Sequence, residues 1–155
     1  MSGDRPWLIP AAYVVLRKGA LGDTVLLQRR SGTGYIDGFW SVAAAGHAAF
    51  GESIIEAACR ELAEELDVRA EPADMRALCA MHRVQGADAD RDQRVDFFFE
   101  CMAWIGDPKF QGLDKADALE WISINSLTAP MVPHEAEVLE GLRAGRLAPI
   151  VTHGV

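Results

Sequence analysis

Positive charge is in deficit in this chain of 155 residues: 15 Lys and Arg stand against 23 Asp and Glu, a net charge of −8. That balance argues against a protein that grips duplex nucleic acid or an anionic lipid surface non-specifically. Long apolar runs are also missing. No stretch approaches the ~18 uninterrupted apolar residues of a membrane span, and the first residues lack the apolar core of a secretory leader. Cysteine is scarce. Cys59, Cys79 and Cys101 are odd in number, lie in apolar runs and form no C-x-x-C spacing. They predict buried, reduced thiols, and hence a cytoplasmic protein. Low-complexity tracts and internal repeats are absent too. The composition is 50% apolar and 25% charged, which is globular usage, and the length fits one domain spanning residues 1–155.

The patterning predicts alternating strands and helices. Trp7 to Lys18 reads as a strand, Thr24 to Gln28 as its hairpin partner closed by Arg29 and Arg30, and Phe39 to Ala45 as a short extended segment. Gly32, Gly34 and Gly38 mark the loop between them. Further strands are expected at 75–84, 94–105 and 119–124, with a polar loop at 85–93. Helices are expected at 52–66 and 134–146, the second with Pro133 near its start. This order predicts an α/β fold with a mixed sheet.

The chemistry concentrates in Gly46 to Val68, GHAAFGESIIEAACRELAEELDV. On a helical wheel with Glu52 at zero, Glu64, Glu61 and Glu65 fall near ~120°, ~180° and ~220°, and Ile55, Cys59, Leu62 and Leu66 near ~280–340°. Three carboxylates are thus expected on one face, beside the buried face and distinct from it. Like charges one turn apart repel, whereas clustered carboxylate oxygens suit a hard divalent cation. Arg60 is expected to hold Glu64 by an i to i+4 pair and to lie between Glu56 and Glu64. The full spacing, G-x5-E-x7-R-E-x-x-E-E, matches six fixed positions, with a chance near ~10⁻⁷ per window at average residue usage.

This string resembles the Nudix box, G-x5-E-x7-R-E-U-x-E-E-x-G-U with U aliphatic. Leu62 and Val68 fill the U positions. Asp67 stands where glycine is usual, and Asp tolerates the left-handed conformation better than most residues. Gly38-Phe39-Trp40-Ser41-Val42, Leu26 to Arg30 and Glu120-Trp121-Ile122 resemble flanking segments of the family. Ala45-Gly46 replaces a common Gly-Gly, and Ala49 a common Glu, so GHAAFGES is closer to a GHxxxGES branch of diverse substrates.

The resemblance implies a Nudix-like α/β/α sandwich with a mixed β-sheet. It implies Mg²⁺- or Mn²⁺-dependent hydrolysis of a diphosphate bond in a nucleoside diphosphate linked to a moiety X. Glu61 and Glu65 would be the main metal ligands, Glu64 a ligand or a water-orienting base, and the Gly46 carbonyl a further ligand, with Arg60 orienting the carboxylates. An acid of a late loop or strand is expected to assist in many members; Glu100, Asp114, Asp117 and Glu120 are the candidates here. Arg29, Arg30 and His47 are candidate phosphate contacts, since guanidinium suits oxyanions. Arg83 and Arg94 could serve likewise, and Tyr35, Phe39 and Trp40 could stack on a ring. The expected partner is a small diphosphate compound, with no nucleic-acid polymer and no membrane; a homodimer is compatible with the resemblance. Two other readings stay open: a nucleotide-sensing module without turnover, and an isoprenoid diphosphate isomerase, which would need a suitably placed Cys and metal-ligating His residues.

Overall fold

The computed structural model describes residues 7–84, 93–111 and 115–154. The polar loop expected at 85–93 falls almost wholly outside them, as do Gly112 and Asp114.

Strand β1 (Ile9–Lys18) organises the sheet. Its last residues pair antiparallel with β2 (Thr24–Arg30), Arg17 opposite Val25. Its first half pairs antiparallel with β4 (Ala44–His47), Ala12 opposite Gly46 and Tyr13 opposite Ala45. The sheet therefore forks along one side of β1, with β4 on one branch and β2, β3 (Trp40–Val42) and β7 (Ala116–Ser123) on the other. On the opposite side β1 runs parallel to β6 (Gln93–Cys101), which pairs antiparallel with β5 (Met75–Val84). An outer strand, β8 (Ile150–His153), runs parallel to β5. The sheet is thus mixed, as expected.

The two helices cover opposite faces. Ala12, Val14 and Leu16 of β1 pack with Ala58, Leu62 and Leu66 of α1 (Ile54–Leu66). The alternate residue Val15 packs with Leu139 of α2 (Pro133–Ala144), as the two-residue period of a strand requires. This is the predicted α/β/α sandwich.

Several boundaries differ from expectation. The segment 39–45 is two short strands separated at Ala43 and assigned to the two branches of the fork. The strand expected to run to Ile105 ends at Cys101; Ile105 instead bridges Arg69 beyond α1. Strand β8 was not anticipated, because four residues at a sheet edge carry too little periodicity to register.

The buried arc of α1 also corrects the wheel. Ala57, Ala58, Glu61, Leu62 and Leu66 are buried, whereas Ile55 is exposed. The helix is rotated so that Glu61 faces the sheet. The carboxylates do not share a separate solvent face: Glu61 is 7% exposed and the Glu64 side chain 59%. The small Ala57 and Ala58 let the helix approach β4 closely, and Gly46 leaves room there for a carboxylate.

Candidate active site

Capping fixes where α1 begins and ends. Ser53 accepts from the Glu56 N–H at 3.1 Å, and Glu56 accepts from the Ser53 N–H at 2.8 Å. This reciprocal box satisfies two of the helix's unpaired amides. It also occupies Glu56, so the expected bracing of Glu56 by Arg60 does not occur. At the far end Asp67 takes φ 55°, the left-handed cap anticipated at that position, with its N–H donating to the Ala63 carbonyl.

Arg60 instead ties the preceding loop to the helix. It donates to both Glu52 oxygens at 2.7 and 2.9 Å, to the His47 carbonyl at 3.0 Å, to Glu61 at 2.8 Å and to Glu64 at 3.1 Å. The Arg60 bond, aided by the Ala49 N–H, holds the Glu52 carboxyl down at about 2. The planar fork of guanidinium suits this many-sided bracing, which an ammonium would not reproduce. We expect Arg60→Ala to lower both the melting temperature, by several degrees, and the turnover rate; thermal melts and steady-state kinetics check it.

Glu61 lies against Gly46. A Cβ placed on Gly46 would sit 2.1 Å from Glu61 Oε1 and 2.3 Å from its Cδ. Glu65, one turn on, is pushed up to about 8, first by burial, then by the Glu61 charge and a hydrogen bond with Glu61; Lys115 and the Ala45 N–H oppose the shift. Two carboxylates are thus brought together in a shielded position, where their proximity disfavours the ionised form of Glu65.

Among the described residues, no three His, Cys, Asp or Glu side chains converge as a ready metal cage. Glu64 stands apart, exposed and held by Arg60. Glu61 and Glu65 lie together beside the Gly46 backbone. The pair fits Mg²⁺ or Mn²⁺: the donors are hard oxygens, their mutual repulsion calls for a cation, and Mg²⁺ commonly takes one or two carboxylates, with water and phosphate oxygens completing its shell.

A cleft of about 1020 Å³ opens in the fork of the sheet. Glu64, Glu65, Ala45 and Lys115 line one end, and Tyr13, Arg83, His134 and Glu135 belong to the rest of its wall. The segment after β6 frames it: the Lys109 and Gln111 N–H groups donate to the carbonyls of Leu66 and Glu65, bringing Phe110 to the rim. The Trp40 N–H donates to the Pro130 carbonyl and the Val132 N–H to the Trp40 carbonyl, so the start of α2 lies beside β3.

Of the candidate phosphate contacts, Arg30 lines the cleft, with its Nε donating to the Tyr35 carbonyl at 3.0 Å. Arg29 does not. It points to the other face of β2, paired with Asp117 at 2.6 Å and near Trp40, because adjacent strand residues alternate faces. His47 is outside the lining; its ring meets Arg94 of the lining at 3.0 Å. Tyr35 lines the cleft, whereas Phe39 and Trp40 do not. Arg83 and Arg94 both line it, and Arg83 is paired with Asp96 at 2.6 Å. None of the described late acids lines it: Glu100 pairs with Arg17, Asp117 with Arg29, and Glu120 is elsewhere on β7.

Sequence reasoning missed Glu135 and passed over His134. Glu135 is buried, accepts from the Val42 N–H at 2.8 Å, and is pushed up to about 8, chiefly by burial. His134 is held down at about 3 by burial and by Arg83. An acid and a histidine in the first turn of a helix carry no signal of burial. The two shifts set opposite pH limits on stability. Glu135, with a raised folded value, loses its contribution as pH rises from its ordinary 4.5 through about 8. His134, with a depressed one, loses its contribution as pH falls from 6.5 towards about 3. We expect Glu135→Gln to lessen the alkaline loss, so that its melting temperature relative to wild type rises between pH 5 and 8; melts across that range test it.

The family model described as NUDIX domain matches residues 7–142. The chain belongs to the Nudix family. Nudix hydrolases typically act on nucleoside diphosphate derivatives and generally use Mg²⁺ or Mn²⁺. The Nudix fold is matched by a MutT NUDIX hydrolase from Burkholderia pseudomallei, with TM-score 0.73 and 22% identity over 86% of this chain and 97% of that one. A MutT protein from Bacillus halodurans matches with TM-score 0.71 and 21% identity over 94% and 90%. The NUDIX domain of Shewanella oneidensis NrtR, complexed with ADP ribose, matches with TM-score 0.71 and 17% identity over 94% and 92%. At these identities the structures speak to fold. No curated protein matches the sequence. Among the described residues no helix is long and apolar enough to cross a membrane.

Proposed function

We propose that the chain acts as one Nudix domain that hydrolyses a diphosphate bond in a nucleoside diphosphate linked to a moiety X, with Mg²⁺ or Mn²⁺. The observation that carries this reading is the Glu61–Glu65 pair against Gly46, at one end of the cleft. Glu61, Glu65 and the Gly46 backbone would hold the metal, which when bound supplies phosphoryl polarisation and acidifies an attacking water. Glu64, exposed and bonded by Arg60, would orient the water as a base or join the metal's ligands. Lys115 and Arg30 offer cationic contacts to the phosphates, which an acidic chain needs locally.

The cytoplasm suits the free thiols, of which Cys79 and Cys101 are buried while Cys59, expected to be buried too, is only partly so, and a small diphosphate is the expected partner. Mg²⁺-dependent release of phosphate or pyrophosphate from a panel of nucleoside triphosphates, nucleotide sugars and dinucleotides tests the activity. Hydrolysis of at least one class supports it, and no turnover of any class refutes it.

The sensing-module reading draws on the NrtR domain, a neighbour bound to ADP ribose. The retained Glu61, Glu64 and Glu65 favour the hydrolase. The isomerase reading is disfavoured, since Cys59, Cys79 and Cys101 lie outside the cleft lining.

A further inference from the structure

Strand β8 ends the sheet, and among the described residues no strand pairs with its outer side. On its inner side the Pro149 carbonyl accepts from the Ala80 N–H at 2.9 Å. The parallel register then sets Ile150 beside Ala80 and Thr152 beside His82. Such a ladder takes the N–H and C=O groups of every second residue. Val151 and His153 therefore bond towards β5, while Ile150 and Thr152 direct their backbone groups outward. The Val151 side chain packs with Phe98 and Val138 on the α2 face. Ile150 points to the other face, as strand alternation requires, and is 68% exposed. Past the strand the chain leaves the edge: Gly154, at φ 74°, turns in against Val84, where a Cβ would sit 2.4 Å from the carbonyl oxygen. Open edges are commonly blunted by a lysine, a proline or a bulge. Ile150-Val151-Thr152-His153 contains none of these, and its register with β5 is regular.

We propose that β8 pairs antiparallel with β8 of a second copy of this chain, across a two-fold axis at Val151, so that two sheets become one. The open groups occur in a self-complementary order. With the axis at Val151, Ile150 lies opposite Thr152 of the second copy, and Thr152 opposite its Ile150. Both members of each pair have outward N–H and C=O groups, so each pair exchanges both N–H···O bonds, and the two Val151 residues meet at the non-bonded position between them. A slip of one residue would set outward groups against inward ones and reverse the side-chain faces. The two-fold closes the contact, so assembly stops at a dimer. Charge permits the approach. On the neighbouring helix α2, Glu137 is bonded to His153 at 2.8 Å and Glu140 to Arg143 at 2.9 Å, so the chain's acidic excess is not gathered at this edge. Neither Ile150 nor Thr152 lines the cleft, and the pairing does not require either cleft to close. An edge of four residues buries less area than a standard interface, so the association is weak and concentration-dependent.

Sedimentation equilibrium of the full chain, from about 1 µM to 1 mM, is expected to show a passage from one chain to two. Amide exchange at the two ends of that range locates the contact. The Ile150 and Thr152 amides are expected to exchange about tenfold or more slowly at the high concentration, whereas Val151 and His153 stay protected at both. A pair of double variants tests the register. Ile150→Lys with Thr152→Lys sets lysine opposite lysine in both pairs and should raise the dissociation constant by about tenfold or more. Ile150→Lys with Thr152→Glu sets opposite charges together and should dimerise within about threefold of wild type. Circular dichroism and melts establish that both are folded, and turnover per chain should match wild type in each.

A wild type that stays a single chain across the range, or that grows beyond two chains, would overturn the proposal. So would unchanged exchange at Ile150 and Thr152, a double-lysine variant that dimerises as wild type does, or a Lys–Glu variant as monomeric as the double-lysine one. Dimerisation with no turnover of any diphosphate compound would sink the hydrolase reading alone, and turnover by a chain that never pairs would sink this one.

Discussion

Glu65→Gln is expected to reduce turnover by roughly 10²–10³-fold while the protein stays folded. The amide is nearly isosteric but cannot carry the charge that a divalent cation requires. Glu65 is one half of the shielded carboxylate pair, its carboxyl pushed up to about 8 by burial and by Glu61, so without metal the uncharged amide replaces a group whose ionised form the site disfavours, and the variant should melt at or above the wild-type temperature in EDTA. Glu61→Gln is expected to lose turnover to a similar degree. It retains an oxygen for the Arg60 guanidinium, which donates to Glu61 at 2.8 Å, so its fold should persist as well. Steady-state kinetics with circular dichroism checks both variants. Near-wild-type kcat in either would remove that residue from the ligand set.

Gly46→Ala is the second large effect, and it separates the site from the fold. The added methyl would fall 2.1 Å from Glu61 Oε1, closer than any real contact. The clash is with the far end of a flexible side chain, so the chain relieves it by moving the carboxylate rather than the backbone. Stability should change by only about 1 kcal/mol, at the low end of overpacking costs. Activity should fall by about tenfold or more, with the metal concentration for half-maximal rate displaced upward, as when a supporting contact of a metal site is lost. A Mg²⁺ titration of turnover beside a thermal melt reads both quantities. Unchanged metal dependence would mean that Glu61 does not hold the ion.

Much of the fold was legible because its strands and helices carry strong periodicity. The Val14-Val15-Leu16 run of β1 and the Phe97-Phe98-Phe99 run of β6 read directly as core strands. The box pointed to the candidate site because six positions, filled by three residue types, had to match at fixed spacing. What the wheel misplaced was the burial of Glu61. Apolar Ile55 drew the expected core face towards itself, yet the helix turns its alanines to the sheet, and Gly46 makes space for a carboxylate there. No single-residue hydropathy could signal that, since the room comes from a strand outside the helix. Arg29 and Arg30 illustrate a second limit. Their adjacency suggested a common role, but strand alternation sends them to opposite faces and leaves only Arg30 in the cleft. The far wall, with Ser41, His134 and Glu135, was illegible because it joins the chain near residue 41 to the chain near 135, and sequence alone does not reveal that contact.

The central claim is that the helix and strand β4 hold a divalent cation through Glu61 and Glu65. Thermal melts of wild type and Glu65→Gln in EDTA and across Mg²⁺ and Mn²⁺ titrations, without substrate, test it most directly. A cation bound only by the folded state stabilises by RT ln(1 + [L]/Kd), about 1.4 kcal/mol at roughly ten times Kd, which raises the melting temperature by a few degrees. The account predicts that rise in wild type and its near-complete loss in Glu65→Gln. Equal shifts in the two proteins would contradict it, because the ion would then be held elsewhere.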